Sequence, residues 1–360
     1  MVAEKFKKAK EEAKAQVKKA VAVSVTADMW TSMNMDAYLA VTCHFINEGT
    51  LNTVLLGVQE FPQAHTAANL AAVKASIMEE WGITHKVTSL VTDAAANMLA
   101  CARELNLKHS VCIAHVLNLM VKKALDQTPG LPDLRTKARK LVSLFRCSTT
   151  AKERLVQMQL HLGKTHLKLL QEVETRWNST FLMFQRLHEL REAVGATMAS
   201  LQTDTSPLTS EEYFYIGECL GVLSPFYEAT VELCEEKQVS ASKIIPLLKM
   251  VDHALSEEMG KKTSVMAKQL AEMMMRQLRE KMHNLQSMSI LTLPTLLDPR
   301  FKTLGFLSPS KGNEAVKRLT SECAFIISHE TPPPTAQAVP PQDEGSSTTG
   351  TVCCSCCILC

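Results

Sequence analysis

"SVTADMWTS" at residues 24–32 and "SLVTDAAAN" at residues 89–97 follow one pattern, in which a short apolar run delivers a single aspartate, Asp28 or Asp93, into polar, turn-forming residues. An aspartate in such a place is usually a turn or helix-cap residue, because its carboxylate accepts backbone N–H groups. Two of them in one chain raise a second interpretation, which is a shared metal site.

The segments around the two aspartates predict one sheet. "VAVSVTA", "AYLAVTCHFI" and "TLNTVLLGVQEF" are β-branched and apolar, and the Asn-Glu-Gly at 47–49 is typical of a hairpin turn, so we predict three antiparallel strands. Helical spacing over 65–81, ended by Gly82, predicts a crossover helix before "KVTSLVTD". A strand after such a crossover lies parallel in the same sheet. If it neighbours the first strand, Asp28 and Asp93 lie roughly 5 Å apart.

The remaining chain predicts helices and then a tail. "HSVCI" is typical of a fifth short strand. The segments after it carry apolar residues at helical spacing. The sequence from Thr331 onwards is rich in Pro, Ser and Thr. We therefore predict an N-terminal helix (1–20), a sheet core (21–130), an all-helical domain (131–330) and a disordered tail (331–360). The expected fold class is α/β, or α+β overall, with a mixed sheet followed by a long helical part.

Composition excludes several classes of protein. The 360 residues carry a net charge of +2, so nucleic-acid binding would need local clusters of charge. No stretch resembles a signal peptide or reaches the roughly 18 apolar residues of a membrane span. Of the 12 cysteines, those before the tail are scattered singly and fit reduced core thiols. These features favour a globular protein of the nucleus or cytosol that does not associate with membranes.

As a metal site, the pair Asp28 and Asp93 suits Mg²⁺. This hard cation takes oxygen ligands in octahedral geometry, which two carboxylates, water and phosphate oxygens supply. The expected separation of Asp28 and Asp93 is close to the roughly 3.5–4 Å between the two metal ions of phosphoryl-transfer sites. This similarity indicates a nuclease or transposase ancestry. Such sites normally need a third acid. No other cofactor is expected, and Mg²⁺ only if the site is active.

Six short motifs stand in the order found in one family. They are "TADMWTS" (26–32), "HFI" (44–46), "VTDAAANM" (91–98), "CIAHVLNL" (112–119), "TRWNST" (175–180) and "LDPRFK" (297–302). In this order they resemble the hAT transposases and their domesticated descendants, the zinc finger BED domain-containing proteins, over roughly residues 20–305. Each motif alone is weakly specific, whereas six in register are not expected by accident.

The resemblance implies an RNase H-like core interrupted by a long helical insertion, and it matches Asp28 and Asp93 to the first two acids of the family's D-D-E set. In active members the Trp of "TRWNST" stacks on a base flipped from the transposon end and the Arg lies near DNA. Trp177 and Arg176 hold those positions here, and such stacking is worth about 1–3 kcal/mol. In a domesticated chain we favour the alternative, in which Trp177 begins a helix and packs in the core.

The sequence departs from the family pattern at both ends. A BED zinc finger is missing before the first strand and a dimerisation region is missing after "LDPRFK", so we expect an incomplete RNase H-like core and weakened dimerisation. The family's catalytic Glu lies in that C-terminal region. Glu314, Glu322 and Glu330 follow the motif here, but none has matching context. Catalysis is therefore not expected.

A local positive excess follows the predicted sheet. The basic residues are Arg135, Lys137, Arg139, Lys140, Arg146, Lys152 and Arg154, with Asp133 and Glu153 as the acids among them. Such a cluster can contact phosphates, and DNA binding through it would depend on salt. A solvated helix face is the alternative interpretation.

Cys112 and His115 in "CIAHVLNL" have a spacing that suggests a zinc site. A structural zinc site needs four ligands, and no second pair of suitable spacing lies nearby in the sequence. We favour a strand-to-helix junction in which Cys112 is buried and His115 bonds locally.

The last four residues, "CILC", have the form of a prenylation box, and Cys353, Cys354 and Cys356 are candidates for palmitoylation. A terminal cysteine is not among the usual last residues of such a box, and acidic residues rather than a polybasic stretch lie upstream. The plainer interpretation is an unselected tail at an alternative exon or a gene-model break.

Three functions follow from these observations. The leading one is a catalytically inactive, transposase-derived nuclear protein that acts with DNA, chromatin or nuclear proteins in transcription regulation. The second is a Mg²⁺-dependent DNA transposase or nuclease that uses Asp28 and Asp93 with an unrecognised acid. The third is a truncated product without a stable function. The resemblance also implies a SUMO-ligase-like regulator as a further alternative.

Overall fold

The computed structural model describes residues 1–235 and 238–330, and the first part of the chain is built on five strands. Its elements are α1 (Val2–Lys19), β1 (Val23–Thr31), β2 (Ala37–Asn47), β3 (Thr50–Glu60), α2 (Ala67–Glu80), β4 (Val87–Thr92), α3 (Ala96–Glu104) and β5 (His109–Val111). This order of strands and helices confirms the order predicted from the sequence. The predictions for the tail from residue 331, including its lipid-bearing cysteines, lie outside the described residues.

The strands form one mixed sheet in the order β3–β2–β1–β4–β5. β2 is antiparallel to both β1 and β3, whereas β1 and β4 pair in parallel. At the β2–β3 turn, Glu48 has φ 50° and Gly49 has φ 75°, which is the left-handed pair of a two-residue type I′ hairpin. The mixed α/β class and the parallel pairing of the first and fourth strands are therefore confirmed.

The crossover helix α2 packs on one face of the sheet. Its apolar residues Leu70 and Ile77 belong to the same buried cluster as Val25 and Leu39 of the sheet. Gly82, at φ 65°, ends the helix, and the N–H of Ile83 donates to the carbonyl of Met78 as in a Schellman motif. The indole N–H of Trp81 donates to the carbonyl of Leu56 at 2.9 Å, which ties the end of α2 to β3.

The described residues after Val111 contain helices and no strand. The helices are α4 (Ile113–Gln127), α5 (Leu131–Cys147), α6 (Thr149–His161), α7 (Trp177–Glu189), α8 (Arg191–Ser200), α9 (Ser210–Leu233), α10 (Ala241–Lys261), α11 (Val265–Leu285), α12 (Ser289–Leu297) and α13 (Pro309–Glu330). The continuous helical pattern from Ser179 to Leu201 forms two helices, because Leu190 leaves helical geometry while its side chain stays buried. None of the described helices is long and apolar enough to cross a membrane.

Contacts divide the described chain into two units. The sheet unit contains residues 1–110, 238–246 and 285–330, and the helical unit contains residues 111–235 and 247–284. Helix α4 is grouped with the helices α5, α7 and α9 that it contacts. In the helical unit, the Met-rich helix α11 buries Met274 and Met282, as expected for methionines that fill core gaps.

Candidate functional site at strands β1 and β4

Asp28 and Asp93 each lie two residues beyond the last paired positions of the parallel strands β1 and β4. Ser24 lies opposite Ser89 and Thr26 lies opposite Val91. Because side chains alternate between the faces of a sheet, the same register continued by two residues would put Asp28 opposite Asp93 on one face. The observed pairing ends before these two residues, so their juxtaposition stays a prediction.

The two aspartates differ in their local structure. Asp93 directly follows β4, and its Oδ1 accepts the N–H of Ala95 at 3.2 Å, which shapes the turn into α3. Asp28 is exposed and lies inside β1, which continues to Thr31 because it pairs with β2, with Asp28 opposite Ala40. The interpretation of Asp28 as a residue at the end of a strand is therefore wrong, while Asp93 fits it.

Lys74 and His109 both interact electrostatically with Asp93. Lys74 is 1% exposed, and its ammonium lies 3.3 Å from Met98 Sδ and 3.4 Å from Cys101 Sγ. Burial lowers the pKa of Lys74, and the negative charge of Asp93 acts in the opposite direction. Burial also lowers the pKa of His109, again opposed by Asp93. The sequence held a signal for Lys74, because it stands on the apolar face of α2, between Leu70 and Ile77.

Asp28 and Asp93 carry oxygen donors of the kind that a hard cation takes. Two carboxylates with water and phosphate oxygens can complete the octahedral shell of Mg²⁺. Among the described residues, no group of three or more His, Cys, Asp or Glu side chains is placed to hold a metal ion. Of the candidates for a third acid, Glu314 forms an ion pair with Lys311, Glu322 is exposed on α13, and the side chain of Glu330 lies outside the described residues.

Cys112 and His115 lie at the junction of β5 and α4. Cys112 is the residue before α4 and its side chain makes no capping hydrogen bond to the helix. The strand-to-helix junction is as expected, but both side chains are half-buried, so Cys112 is less buried than expected. Among the described residues, Cys112 and His115 are not part of any group of three or more potential metal ligands.

Trp177 is buried within the helical unit. It is the first residue of α7, its side chain is 2% exposed, and its indole N–H has no hydrogen-bond partner among the described atoms. Its backbone N–H donates to Oδ1 of Asn118 at 3.0 Å, and Nδ2 of Asn118 donates to the carbonyl of Thr175 at 3.2 Å. Arg176 is exposed at the helix start. This geometry supports the interpretation of Trp177 as a core residue, since a stacking platform has to be accessible.

Two of the predicted phosphate-binding arginines take part in an internal ion-pair network of the helical unit. Arg135 is buried, and its guanidinium donates to Asp126 and to Oε1 of Glu172. Arg139 lies 3.4 Å from the other oxygen of Glu172, and the hydroxyl of Thr180 donates to the same carboxylate. These contacts hold α5 to the segment before α7, so they favour a structural role for Arg135 and Arg139.

The other two basic residues of that set lie at the surface of α5. Lys137 donates to both oxygens of Glu212 at 2.8 and 2.7 Å. Lys140 is exposed and lines an open cavity of about 680 Å³ together with Thr136 and Ser143. Of the four predicted DNA-contacting residues of this helix, Lys140 is thus the most accessible to a phosphate.

Comparison with known families identifies two consecutive domains in this chain. The model of the ZBED1 RNase-like domain matches residues 26–120, and the model of the ZBED1 RNase-like helical domain matches residues 110–217. The first match contains Asp28 and Asp93, and the second contains Asn118, Arg135 and Trp177. Together the two matches cover just over half of the chain.

Several curated proteins are similar over longer stretches. Human "Zinc finger BED domain-containing protein 4" is 26% identical over 301 residues, which is 78% of this chain and 24% of that protein. "Putative AC transposase" of Zea mays is 30% identical over 200 residues, 51% of this chain and 24% of its own length. "Putative transcriptional regulator tpeD" of Talaromyces stipitatus is 24% identical over 263 residues, 62% of this chain and 31% of its own length. The chain spans about a quarter to a third of these relatives.

Proposed function

Because this chain is a hAT transposase-derived protein related to the zinc finger BED domain-containing proteins, we propose that it is a nuclear, DNA- or chromatin-associated regulator of transcription. In this proposal the RNase-like sheet serves as a scaffold and does not cleave DNA. The surface of the helical unit binds DNA and nuclear proteins.

The observation that carries the proposal is the composition of the site around Asp93. Asp28 and Asp93 supply two carboxylates, but among the described residues no further His, Cys, Asp or Glu joins them in a group that could hold a metal ion. A two-metal phosphoryl-transfer site normally needs a third acid. The site therefore favours a stable, metal-independent sheet over a loaded two-metal centre.

The helical unit supports a scaffold role in the same way. Trp177, which the resemblance assigns to DNA, and Arg135 of the basic cluster are buried and bonded into the fold, whereas Arg176 is exposed. Relatives named as a transcriptional regulator and as zinc finger BED domain-containing proteins are consistent with regulation through DNA or chromatin. Nuclear localisation follows from this proposed role.

The experiment that tests the proposal measures binding and cleavage of hairpin and duplex DNA with Mg²⁺ or Mn²⁺. We expect DNA binding without cleavage by the intact chain and by Asp28→Asn, Asp93→Asn and Asp36→Asn. Asp36→Asn is the matched control, because it removes one carboxylate charge from the β1–β2 turn of the same sheet. Absence of DNA binding by the folded chain would contradict the proposal.

A second candidate function, a Mg²⁺-dependent DNA transferase or nuclease, is favoured by the register itself. Adjacent carboxylates on neighbouring parallel strands are the residues that would hold one Mg²⁺ against a phosphate. When bound, the cation would supply Lewis-acid polarisation of a phosphoryl oxygen. Cleavage that is lost in Asp28→Asn or Asp93→Asn and kept in Asp36→Asn would establish this function in place of the first.

A further inference from the structure

A second cavity of the helical unit lies between the end of α5, one face of α6 and the extended segment that follows α6. Its volume is about 320 Å³. The residues that α6 contributes, Lys152, Leu155, Val156 and Gln159, recur at the spacing of one helix face. This volume is at the lower end of the roughly 300–1,000 Å³ of ligand pockets in proteins, so it admits a small group and excludes a double helix.

The cavity is lined by basic side chains. Arg146 comes from the last turn of α5, Lys152 from α6, and His166 and Lys168 from the following segment. Of the described residues that line it, none is acidic, and no ion pair joins these four to a described carboxylate. Lysine and arginine are charged at neutral pH, so the cavity presents three like charges that have no internal counterion. A cavity with this charge has a polyanion as its natural ligand.

The floor of the cavity is apolar and firmly built. Its accessible apolar surface comes from the half-buried Val156, Leu167 and Leu170, and the buried Phe145 and Leu155 also line it. The side chain of Gln159, which is fully buried, donates to the carbonyl of Leu167 at 3.2 Å and accepts its N–H at 2.8 Å. These two bonds fix the extended segment against α6, so that the basic side chains of His166 and Lys168 stand on a backbone that is already ordered.

We propose that this cavity binds one nucleotide of a DNA strand, with the phosphate on Arg146, Lys152 and Lys168 and the base against the apolar floor. The proposal deepens the proposed function and rests on it, because DNA is the source of the phosphate. Single-strand sites combine cationic side chains for the backbone with apolar or ring surfaces for the bases, and this cavity offers both. Its size predicts a preference for an unpaired strand or overhang over a blunt duplex.

The test is fluorescence anisotropy of the full chain with a labelled single-stranded DNA of about 12 nucleotides, and with the same sequence as a blunt duplex. The cavity variant is Arg146→Gln with Lys152→Gln. The matched control is Arg276→Gln with Lys268→Gln, which removes the same charges from exposed positions of α11 in the same unit. Thermal unfolding of each variant verifies that the exposed substitutions leave the fold intact.

We expect the cavity variant to bind single-stranded DNA about tenfold more weakly than the intact chain. We also expect the slope of log affinity against log salt to become shallower by about one. The control variant should stay within about twofold of the intact chain. Equal losses of affinity in both variants would contradict the proposed nucleotide site. DNA binding, and with it the proposed function, would still stand. No DNA binding by the intact chain would overturn both the site and the proposed function.

Discussion

The carboxamide of Asn118 joins two motifs that lie 59 positions apart in the chain. Its oxygen accepts the N–H of Trp177 and its nitrogen donates to the carbonyl of Thr175, so one side chain serves both sides of the start of α7. Ser179 completes the junction, since its hydroxyl lies within hydrogen-bond distance of both the N–H and the carbonyl of Val173. The motifs "CIAHVLNL" and "TRWNST" thus share a structural role within the helical unit.

Replacing Asn118 with alanine is expected to destabilise the helical unit by roughly 1–2 kcal/mol, because two backbone groups lose their partner at a half-buried site. Chemical denaturation measures the change. Leu119→Ala, one residue along on the exposed side of α4, should change stability by less than about 0.5 kcal/mol. Equal effects of the two substitutions would contradict the bridging role of the carboxamide.

His44 makes the stability of the sheet unit depend on pH. Its ring nitrogens lie 3.0 Å from the hydroxyl of Thr26 and 3.1 Å from that of Thr53, which links three neighbouring strands. Burial lowers the pKa of His44 from 6.5 to about 4. The unfolded chain therefore binds a proton at a higher pH than the folded chain, and stability is full above pH 6.5 and lost as the pH falls towards 4.

The free energy of unfolding is expected to fall by roughly 3 kcal/mol by about pH 4, since each unit of pKa shift corresponds to about 1.4 kcal/mol. Urea unfolding at several pH values measures it. A His44→Leu chain should lose this part of the pH dependence whatever its absolute stability, whereas exposed His85→Gln should keep it. A His44→Leu chain with the original dependence would show that another group is responsible.

At single positions, sequence patterns identified the parts of the candidate site but not all of their surroundings. The parallel pairing of the strand that contains Asp28 with the strand that precedes Asp93 can be read from local patterns. The partner of Arg135 could not be read in this way, because Glu172 lies 37 residues away and the pair forms only when the helices pack. A lysine or arginine in an otherwise apolar helix face is the general signal for such residues.

Among the helices, α9 provides the cap for α11. The carboxylate of Glu218 accepts the N–H groups of Thr263 and Ser264 at 2.8 and 2.7 Å, just before α11 begins. Burial acts to raise the pKa of Glu218, but these hydrogen bonds outweigh it and lower the pKa to about 2. The stabilisation that the Glu218 carboxylate gives to the folded helical unit is therefore full above pH 4.5 and is lost as the pH falls towards 2.

Glu218→Ala is expected to destabilise the helical unit by about 1 kcal/mol, the usual effect of losing a helix cap. The cost should shrink when unfolding is measured at low pH, because Glu218 in the intact chain then becomes protonated as well. Glu272→Ala, at an exposed position within α11, serves as the control. A cost for Glu218→Ala that stays constant down to about pH 2 would rule out the capping carboxylate as its cause.

The elements were more predictable than their ends. The strands and the crossover helix follow from residue periodicity, which depends on near neighbours in the chain. The length of β1 does not follow from periodicity, because its last residues are ordered by pairing with β2, as between Trp30 and Tyr38. The break between α7 and α8 likewise lies at Leu190, a buried leucine and not a glycine or proline, so the residue type does not predict it.

For the whole molecule, the two compact units predict that unfolding is not a single transition. Trp81 reports on the sheet unit and Trp177 on the helical unit, and both rings are buried. Variants that keep only one of these tryptophans, with the others replaced by phenylalanine, should give denaturation curves with different midpoints. Coincident curves would show that the units unfold together.

Sheet order also sets how the protein behaves in concentrated solution. β3 stands at the end of the sheet order with β2 as its neighbour, extends over 11 residues, and exposes Leu55 and Val58. An outer strand of this length can act as a template on which extended segments of other chains add, the first step towards aggregation. A charged substitution such as Val58→Lys would act as a gatekeeper and extend the shelf life of the purified protein.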